Sequence, residues 1–127
     1  MTENEIGSLV LKACVKVHQA LGPGLLESVY QKVLAYELEQ LGLRVKCEVP
    51  VPIHYNGVNF EEGFRADIMV EGKVILELKS VEKILPVHMK QLQTYLRLTG
   101  SKLGYLLNFG DILMKRGIKR AVNSLQE

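Results

Sequence analysis

The chain has no tryptophan, only two cysteines and a net charge of only +2. Cys14 and Cys47 lie far apart, in no spacing typical of metal ligands, so we expect reduced, partly buried thiols in a cytoplasmic protein. The weak net charge gives little indication of a polyanionic partner. Basic residues do gather near the end of the chain: Lys102, Lys115, Arg116, Lys119 and Arg120. They could form a patch that faces phosphates or simply a soluble edge of the protein.

Long hydrophobic stretches are also missing. No apolar run approaches the roughly 20 residues that span a bilayer. Four charged residues interrupt any N-terminal apolar run, which argues against a signal peptide: Glu3, Glu5, Lys12 and Lys16. What is present is an ordinary globular composition, 47% hydrophobic and 24% charged. We expect residues 1–127 to form one domain with a substantial core and no membrane association.

Hydrophobic periodicity and turn residues predict an α/β fold. Asn56-Gly57 is a strong hairpin signal, and Pro86 and Gly100 bracket a helix. The predicted elements are helices at 4–21 and 25–41, strands at 44–55 and 58–64, a hairpin at 65–79, a helix at 86–99, a strand at 103–109 and a strand with a short tail at 112–122. This order of helices, three or four antiparallel strands, a helix and a strand indicates a mixed sheet sandwiched by helices.

The hairpin at 65–79 carries Asp67, Glu77 and Lys79. A three-residue loop at 71–73 pairs Val70 with Val74 and places Asp67 opposite Glu77, with Lys79 on the same face. A two-residue loop would put the two acids on different faces and mix the apolar residues across both. The hydrophobic pattern favours the three-residue loop, because that loop places most of the apolar side chains of the hairpin on one face, away from the acids. That face is predicted to hold Ala66, Ile68, Val70, Val74, Leu76 and Leu78.

Two carboxylates and an amine on one face can hold a divalent cation and activate a water beside it. The hairpin alone fits equally well a solvated surface of ion pairs, each worth less than about 1 kcal/mol. The two interpretations therefore depend on the rest of the chain.

Two further helices carry candidate polar groups. At 100° per residue, Glu27 falls inside the apolar arc of the second helix, so it needs a partner or a metal there, unless it simply complements the helix dipole. On the third helix Gln91 and Tyr95 share a face, with His88 one turn earlier. These groups could hold a phosphate or a metal-bound water, although a polar helix edge is the simpler interpretation without further context.

Together these residues resemble the PD-(D/E)XK nuclease superfamily. Asp67 follows alanine instead of the motif's proline, and Glu77-Leu78-Lys79 matches the second half. Residues 91–95, Gln-Leu-Gln-Thr-Tyr, are similar to the QxxxY motif of the branch with the RecB-like and phage-exonuclease-like nucleases. Residues 24–30, Gly-Leu-Leu-Glu-Ser-Val-Tyr, resemble the signature of the small GxxExxY family in that superfamily. The resemblance spans roughly residues 5–122.

The resemblance implies a restriction-endonuclease-like fold with its active site at the hairpin. Asp67, Glu77, the Leu78 carbonyl and Glu27 (directly or through water) would bind Mg²⁺ or Mn²⁺. Lys79 would orient or deprotonate the attacking water, and orientation is the better role beside two acids. Gln91 and Tyr95 would brace the site or contact the DNA backbone. Tyr30, the last residue of the GxxExxY signature, and His88, a candidate phosphate contact, are further residues expected to bind the substrate or support the site.

The leading functional expectation is a metal-dependent phosphodiesterase acting on DNA. A small single domain has little surface for reading sequence, so specificity would need a homo-oligomer or a partner protein. Two alternatives stay open: a non-catalytic nucleic-acid-binding or accessory subunit that keeps the fold, and an interaction domain whose acids form ion pairs.

Overall fold

A computed structural model describes residues 1–126 and shows a five-stranded sheet between two helical layers. Its elements are α1 (Glu3–Leu21), α2 (Glu27–Gln40), β1 (Val45–Tyr55), β2 (Val58–Val70), β3 (Val74–Lys79), α3 (Pro86–Thr99), β4 (Leu103–Asn108), α4 (Met114–Gly117) and β5 (Ile118–Val122). The strands lie in chain order, and only β3 and β4 are parallel, joined by a crossover through α3. The predicted α/β fold with a mixed sheet flanked by helices is confirmed.

Local sequence signals set the helix ends. Thr2 and Glu5 form a reciprocal cap on α1, with Glu5 N–H donating to Thr2 Oγ1 at 3.1 Å and Thr2 N–H donating to Glu5 Oε1 at 2.9 Å. Helix α3 begins at Pro86 and ends at Gly100, whose φ of 75° is left-handed, as the sequence predicted. None of the helices within residues 1–126 is long and apolar enough to cross a membrane.

Two cores lie on opposite faces of the sheet. Helices α1 and α2 cover the larger core, which includes Cys14, Leu34, Leu76 and Leu107. The smaller core lies under α3 and consists of Ala66, Ile75, Leu92, Leu96, Leu106 and Ala121. Strands β3 and β4 are therefore buried on both faces, so a polar group on the α3 side of β3 is largely shielded from water.

Three predictions about local structure were wrong. A strand at 58–64 and a separate hairpin strand were predicted, but β2 runs unbroken from Val58 to Val70 because it pairs with β1 on both sides of Gly63, where a side chain would overlap Ile53. Residues 114–117 form a short helix before β5, since burial of Met114 in the larger core overrides the local strand preference. Cys47 is exposed and only Cys14 is buried, so the expectation of partly buried thiols does not describe Cys47.

A buried asparagine fixes the carboxyl ends of the two parallel strands. Asn108 Oδ1 accepts from Val81 N–H at 3.0 Å and from Gly110 N–H at 3.1 Å, while its Nδ2 donates to Val81 O at 2.8 Å and to Asp111 Oδ2 at 2.9 Å. All its hydrogen-bonding capacity is thereby used, as burial requires. The loop after β3 is thus held against the loop after β4, directly beyond Lys79.

Candidate active site

The register of the β2–β3 hairpin positions the candidate acids. Val70 pairs with Val74, and Ile68 with Leu76, which confirms the three-residue loop. Glu71 and Gly72 take left-handed φ values of 54° and 64°, as such a tight loop requires.

The predicted dry face is confirmed at five of its six positions, which belong to the larger core: Ile68, Val70, Val74, Leu76 and Leu78. Ala66 is the exception, because it packs in the smaller core under α3. Beyond Asp67, β2 pairs only with β1. A two-stranded ribbon twists more strongly than a wide sheet, which accounts for the change of face.

Asp67 and Glu77 lie side by side where β2 separates from β3. The backbone ladder between the two strands ends at Ile68 and Leu76. Beyond it, Leu78 N–H donates to Asp67 Oδ2 at 2.8 Å, and Asp67 N–H donates to Glu77 Oε1 at 3.4 Å. The carboxylates thus take over backbone donors that the diverging strands release, which satisfies these part-buried groups and fixes both side chains.

The surroundings of the pair disfavour two full negative charges. Glu77 is only 8% exposed, and burial, followed by repulsion from Asp67, raises its pKa to about 8. Burial is also the main cause of the raised pKa of Asp67, although the hydrogen bond from Leu78 N–H opposes it. The Lys79 ammonium lowers the pKa of both acids, which places it close to them. Without a cation, the pair therefore shares a proton near neutral pH.

Tyr95 of α3 lies next to the acid pair. Its ring stacks on Phe64 of β2 with centroids 3.9 Å apart and planes 3° from parallel. Burial raises the pKa of Tyr95, and the charges of Glu77 and Asp67 raise it further, so the phenol is within their electrostatic reach. The structure thus brings Tyr95 to Asp67 and Glu77.

Gln91 and His88 lie earlier on α3, towards its N-terminus. Gln91 is exposed one turn before Tyr95, and no hydrogen bond engages its side chain among the described residues. Leu85 N–H donates to His88 Nδ1 at 3.0 Å, so His88 caps the start of the helix. This cap gives His88 a structural task that the sequence pattern did not reveal.

Tyr30 anchors the loop before α2. It is fully buried, its hydroxyl donates to Gly22 O at 2.5 Å and accepts from Leu25 N–H at 3.1 Å, and its ring stacks on Phe109 at 4.5 Å. Ser80 Oγ, in the residue after Lys79, donates to Leu25 O at 2.6 Å. Tyr30 therefore indirectly fixes the start of α2 against the end of β3.

We expect Tyr30→Phe to lower the free energy of unfolding by about 1–2 kcal/mol, because Gly22 O and Leu25 N–H both lose a partner. Urea denaturation measures this change. Tyr36→Phe on the exposed side of the same helix is the matched control, and its effect should be negligible. Equal effects of the two substitutions would show that the hydroxyl of Tyr30 does not anchor the loop.

Glu27 is exposed at the first position of α2, so the prediction that it faces the core was wrong. Leu26 beside it is also exposed, because the helix buries residues only from Tyr30 onward. Within residues 1–126 no group of three or more His, Cys, Asp or Glu side chains is placed to hold a metal. The structure therefore gathers Asp67 and Glu77 but does not bring Glu27 into their cluster.

Sequence reasoning missed two residues of the site, Glu48 beside Asp67 and Phe64 under Tyr95. Glu48 lies on β1 where the pairing with β2 skips Asp67, and it adopts a left-handed φ of 52°. Its charge contributes to the raised pKa of Asp67. The pairing of β1 with β2 is needed to identify Glu48, and the docking of α3 is needed to identify Phe64, because neither residue belongs to a local motif.

One comparison with known proteins identifies the superfamily. A family model described as the PD-(D/E)XK nuclease superfamily matches residues 4–121. No match was found among curated proteins. The crystal structure of SSO0001 is similar with a TM-score of 0.47 and 24% identity, over 98% of this chain and 61% of that chain, so this chain spans less than two thirds of that structure. Because the family model covers nearly the whole chain, the protein belongs to the PD-(D/E)XK nuclease superfamily.

Proposed function

We propose that the protein is a divalent-metal-dependent nuclease that hydrolyses DNA phosphodiester bonds, and that it belongs to the GxxExxY family within the RecB-like branch. The observation that carries this proposal is the contact between Asp67 and Glu77 at the diverging ends of β2 and β3, with Lys79 beside them. Membership of a nuclease superfamily supports a nucleic acid as the substrate.

The donor set suits Mg²⁺ or Mn²⁺. Asp67, Glu77 and the carbonyl of Leu78 supply hard oxygen atoms, and Glu27 would act through a water because it lies outside the pair. The raised pKa values of both acids indicate a site that gains stability from added positive charge. When bound, such a cation stabilises charge on the phosphoryl oxygens and makes a water a better nucleophile.

The protein's own groups then position the reactants. Lys79 orients the attacking water, because an ammonium group donates hydrogen bonds and accepts none. Tyr95, held by its stack on Phe64, braces the acid side of the site. Gln91, exposed one turn earlier, contacts the DNA backbone, and the capping role of His88 keeps that end of α3 in place.

The test is cleavage of labelled single-stranded, double-stranded and branched DNA with and without Mg²⁺ or Mn²⁺. We expect metal-dependent cleavage by the wild type, and at least a 100-fold loss in Asp67→Asn, since that group both binds the cation and fixes the strand end. Glu61→Gln, an exposed acid on β2 away from the pair, should cleave as the wild type does.

The proposal of a nuclease would be overturned if the folded wild-type protein, loaded with metal, cleaved none of these substrates. If that protein still binds DNA, the alternative of a non-catalytic accessory subunit is supported. Such binding needs no metal, because it depends on basic side chains that contact the phosphates.

A further inference from the structure

A pocket opens at the edge of the sheet where the loops after β3 and β4 begin. It has a volume of about 210 Å³ and is lined by Glu82, Lys83, Ile84, Asp111, Arg116 and Lys119. Lys83 comes from the loop after β3, Arg116 from α4 and Lys119 from the start of β5. Because β3 and β4 are parallel, the loops that follow them leave the same edge of the sheet, which is where α/β proteins commonly bind ligands.

Strand register relates this pocket to the acids. Glu77 pairs with Leu106 of β4, and Leu106 pairs with Lys119 of β5. Directly paired residues point to the same face, and Leu106 belongs to the core under α3. Glu77, Leu106 and Lys119 thus form a row on the α3 face, two strand spacings or roughly 10 Å from end to end.

The connecting chain gives a second measure of distance. Lys83 follows Lys79 by four residues, so their Cα atoms lie at most about 14 Å apart. A nucleic-acid strand advances about 3.4 Å per nucleotide along a helix axis. A phosphate in the pocket would therefore belong to a nucleotide only a few positions from the bond at the acid pair.

The charges of the pocket favour an anion. Lys83, Arg116 and Lys119 are exposed, and none of them forms an ion pair within the described chain. Of the two acids in the lining, Asp111 already accepts a hydrogen bond from Asn108 through its Oδ2. Three uncompensated cations thus face one exposed carboxylate, Glu82, and one partly engaged carboxylate.

We propose that Lys83, Arg116 and Lys119 form a subsite for a second phosphate of the nucleic-acid strand whose backbone is cleaved at Asp67 and Glu77. This inference rests on the proposed function. A negatively charged strand is repelled by the acid pair, and the three cations of the pocket offset that repulsion and fix the direction in which the strand leaves the site.

The experiment measures binding of fluorescein-labelled single- and double-stranded DNA in EDTA, where no metal supports cleavage, over a range of NaCl concentrations. We expect the triple variant Lys83→Gln, Arg116→Gln, Lys119→Gln to bind at least tenfold more weakly at low salt. Its plot of log K against log [NaCl] should flatten for each phosphate that the protein no longer neutralises, by about 0.9 with double-stranded and about 0.7 with single-stranded DNA.

Two further variants make the test specific. Lys12→Gln removes an exposed cation from α1 on the opposite face and should change neither affinity nor salt dependence. Glu82→Gln removes the exposed opposing carboxylate of the pocket and should strengthen binding, an effect that misfolding cannot imitate. Equal affinity of the wild type and the triple variant, or an equal loss in Lys12→Gln, would overturn the subsite.

The phosphate in the subsite could be the terminal 5′-phosphate of the strand or one of its internal phosphates. Oligonucleotides with a 5′-phosphate or a 5′-hydroxyl distinguish the two. If the subsite binds the terminal phosphate, the wild type should prefer 5′-phosphorylated DNA and the triple variant should not. If the subsite binds an internal phosphate, the triple variant should lose the same affinity for both oligonucleotides.

Cleavage separates this proposal from the proposed function. In Mg²⁺ the triple variant should show a raised KM with kcat nearly unchanged, because the pocket binds the strand away from the reacting bond. If the wild type never cleaves but the triple variant loses DNA binding, the nuclease fails and the subsite stands. If the wild type cleaves and the triple variant matches it in KM and affinity, the subsite fails alone.

Discussion

Replacing Lys79 with alanine is expected to lower the rate of metal-dependent DNA cleavage by about 10²–10⁴-fold, the usual contribution of a group that positions or transfers a proton. Lys79 is half-buried, and its charge acts on both Asp67 and Glu77. Alanine leaves no donor to orient a water beside them. The measurement is kcat on saturating labelled DNA, with folding checked by circular dichroism.

Lys73→Ala is the matched control, because Lys73 lies on the same hairpin but its Nζ donates to Met1 O instead of facing the acids. It should cleave at the wild-type rate. Lys79→Arg keeps the charge with a different geometry, and it should recover little activity if orientation of the water is the role. A Lys79→Ala enzyme within threefold of the wild type would remove Lys79 from the mechanism.

The second large effect concerns stability. Without a divalent cation, the protein should become less stable as the pH rises from about 5 to about 8. The pKa of Glu77 rises from its ordinary 4.5 to about 8 on folding, so the folded state binds this proton more tightly than the unfolded state does. The corresponding stabilisation is full below the unfolded pKa and is lost as the pH passes through the folded pKa. Asp67 shifts in the same direction and adds to the loss.

Urea denaturation in EDTA at several pH values measures this loss, which should reach a few kcal/mol. Glu77→Gln cannot ionise there and still offers an oxygen to Asp67 N–H, so its unfolding midpoint should depend much less on pH. Added Mg²⁺ should raise the wild-type midpoint more at pH 8 than at pH 5. A wild-type midpoint that stays constant or rises over this range contradicts the buried acid pair.

The sequence predicted the hairpin register because the responsible forces are local. A strand alternates faces with a period of two, and only a loop at 71–73 keeps Ile68, Val70 and Val74 on one face. The ends of α3 were equally predictable, since Pro86 and Gly100 act through their own backbone preferences. The juxtaposition of Asp67 and Glu77 follows from this register.

The features that depend on tertiary contacts were not predictable from local pattern. A helical wheel gives the relative angles of Glu27 and Tyr30, but not the point at which α2 first meets the sheet. The continuity of β2 through Gly63 depends on its pairing with β1, where the side chain of Ile53 occupies the space that a side chain at Gly63 would need. Lys119 could be related to Glu77 only through Leu106, once β5 was paired with β4.

The chain-order arrangement of the strands has a consequence for folding kinetics. Strands β1, β2 and β3 pair through hairpins, and such near contacts form faster than the parallel pairing of β3 with β4 across the α3 crossover. The β2–β3 hairpin closes through three residues, and hairpins form within about 1–10 μs. We therefore expect Asp67 and Glu77 to meet early, while water still screens their repulsion. The cost of dehydrating them falls on the later step in which α3 docks.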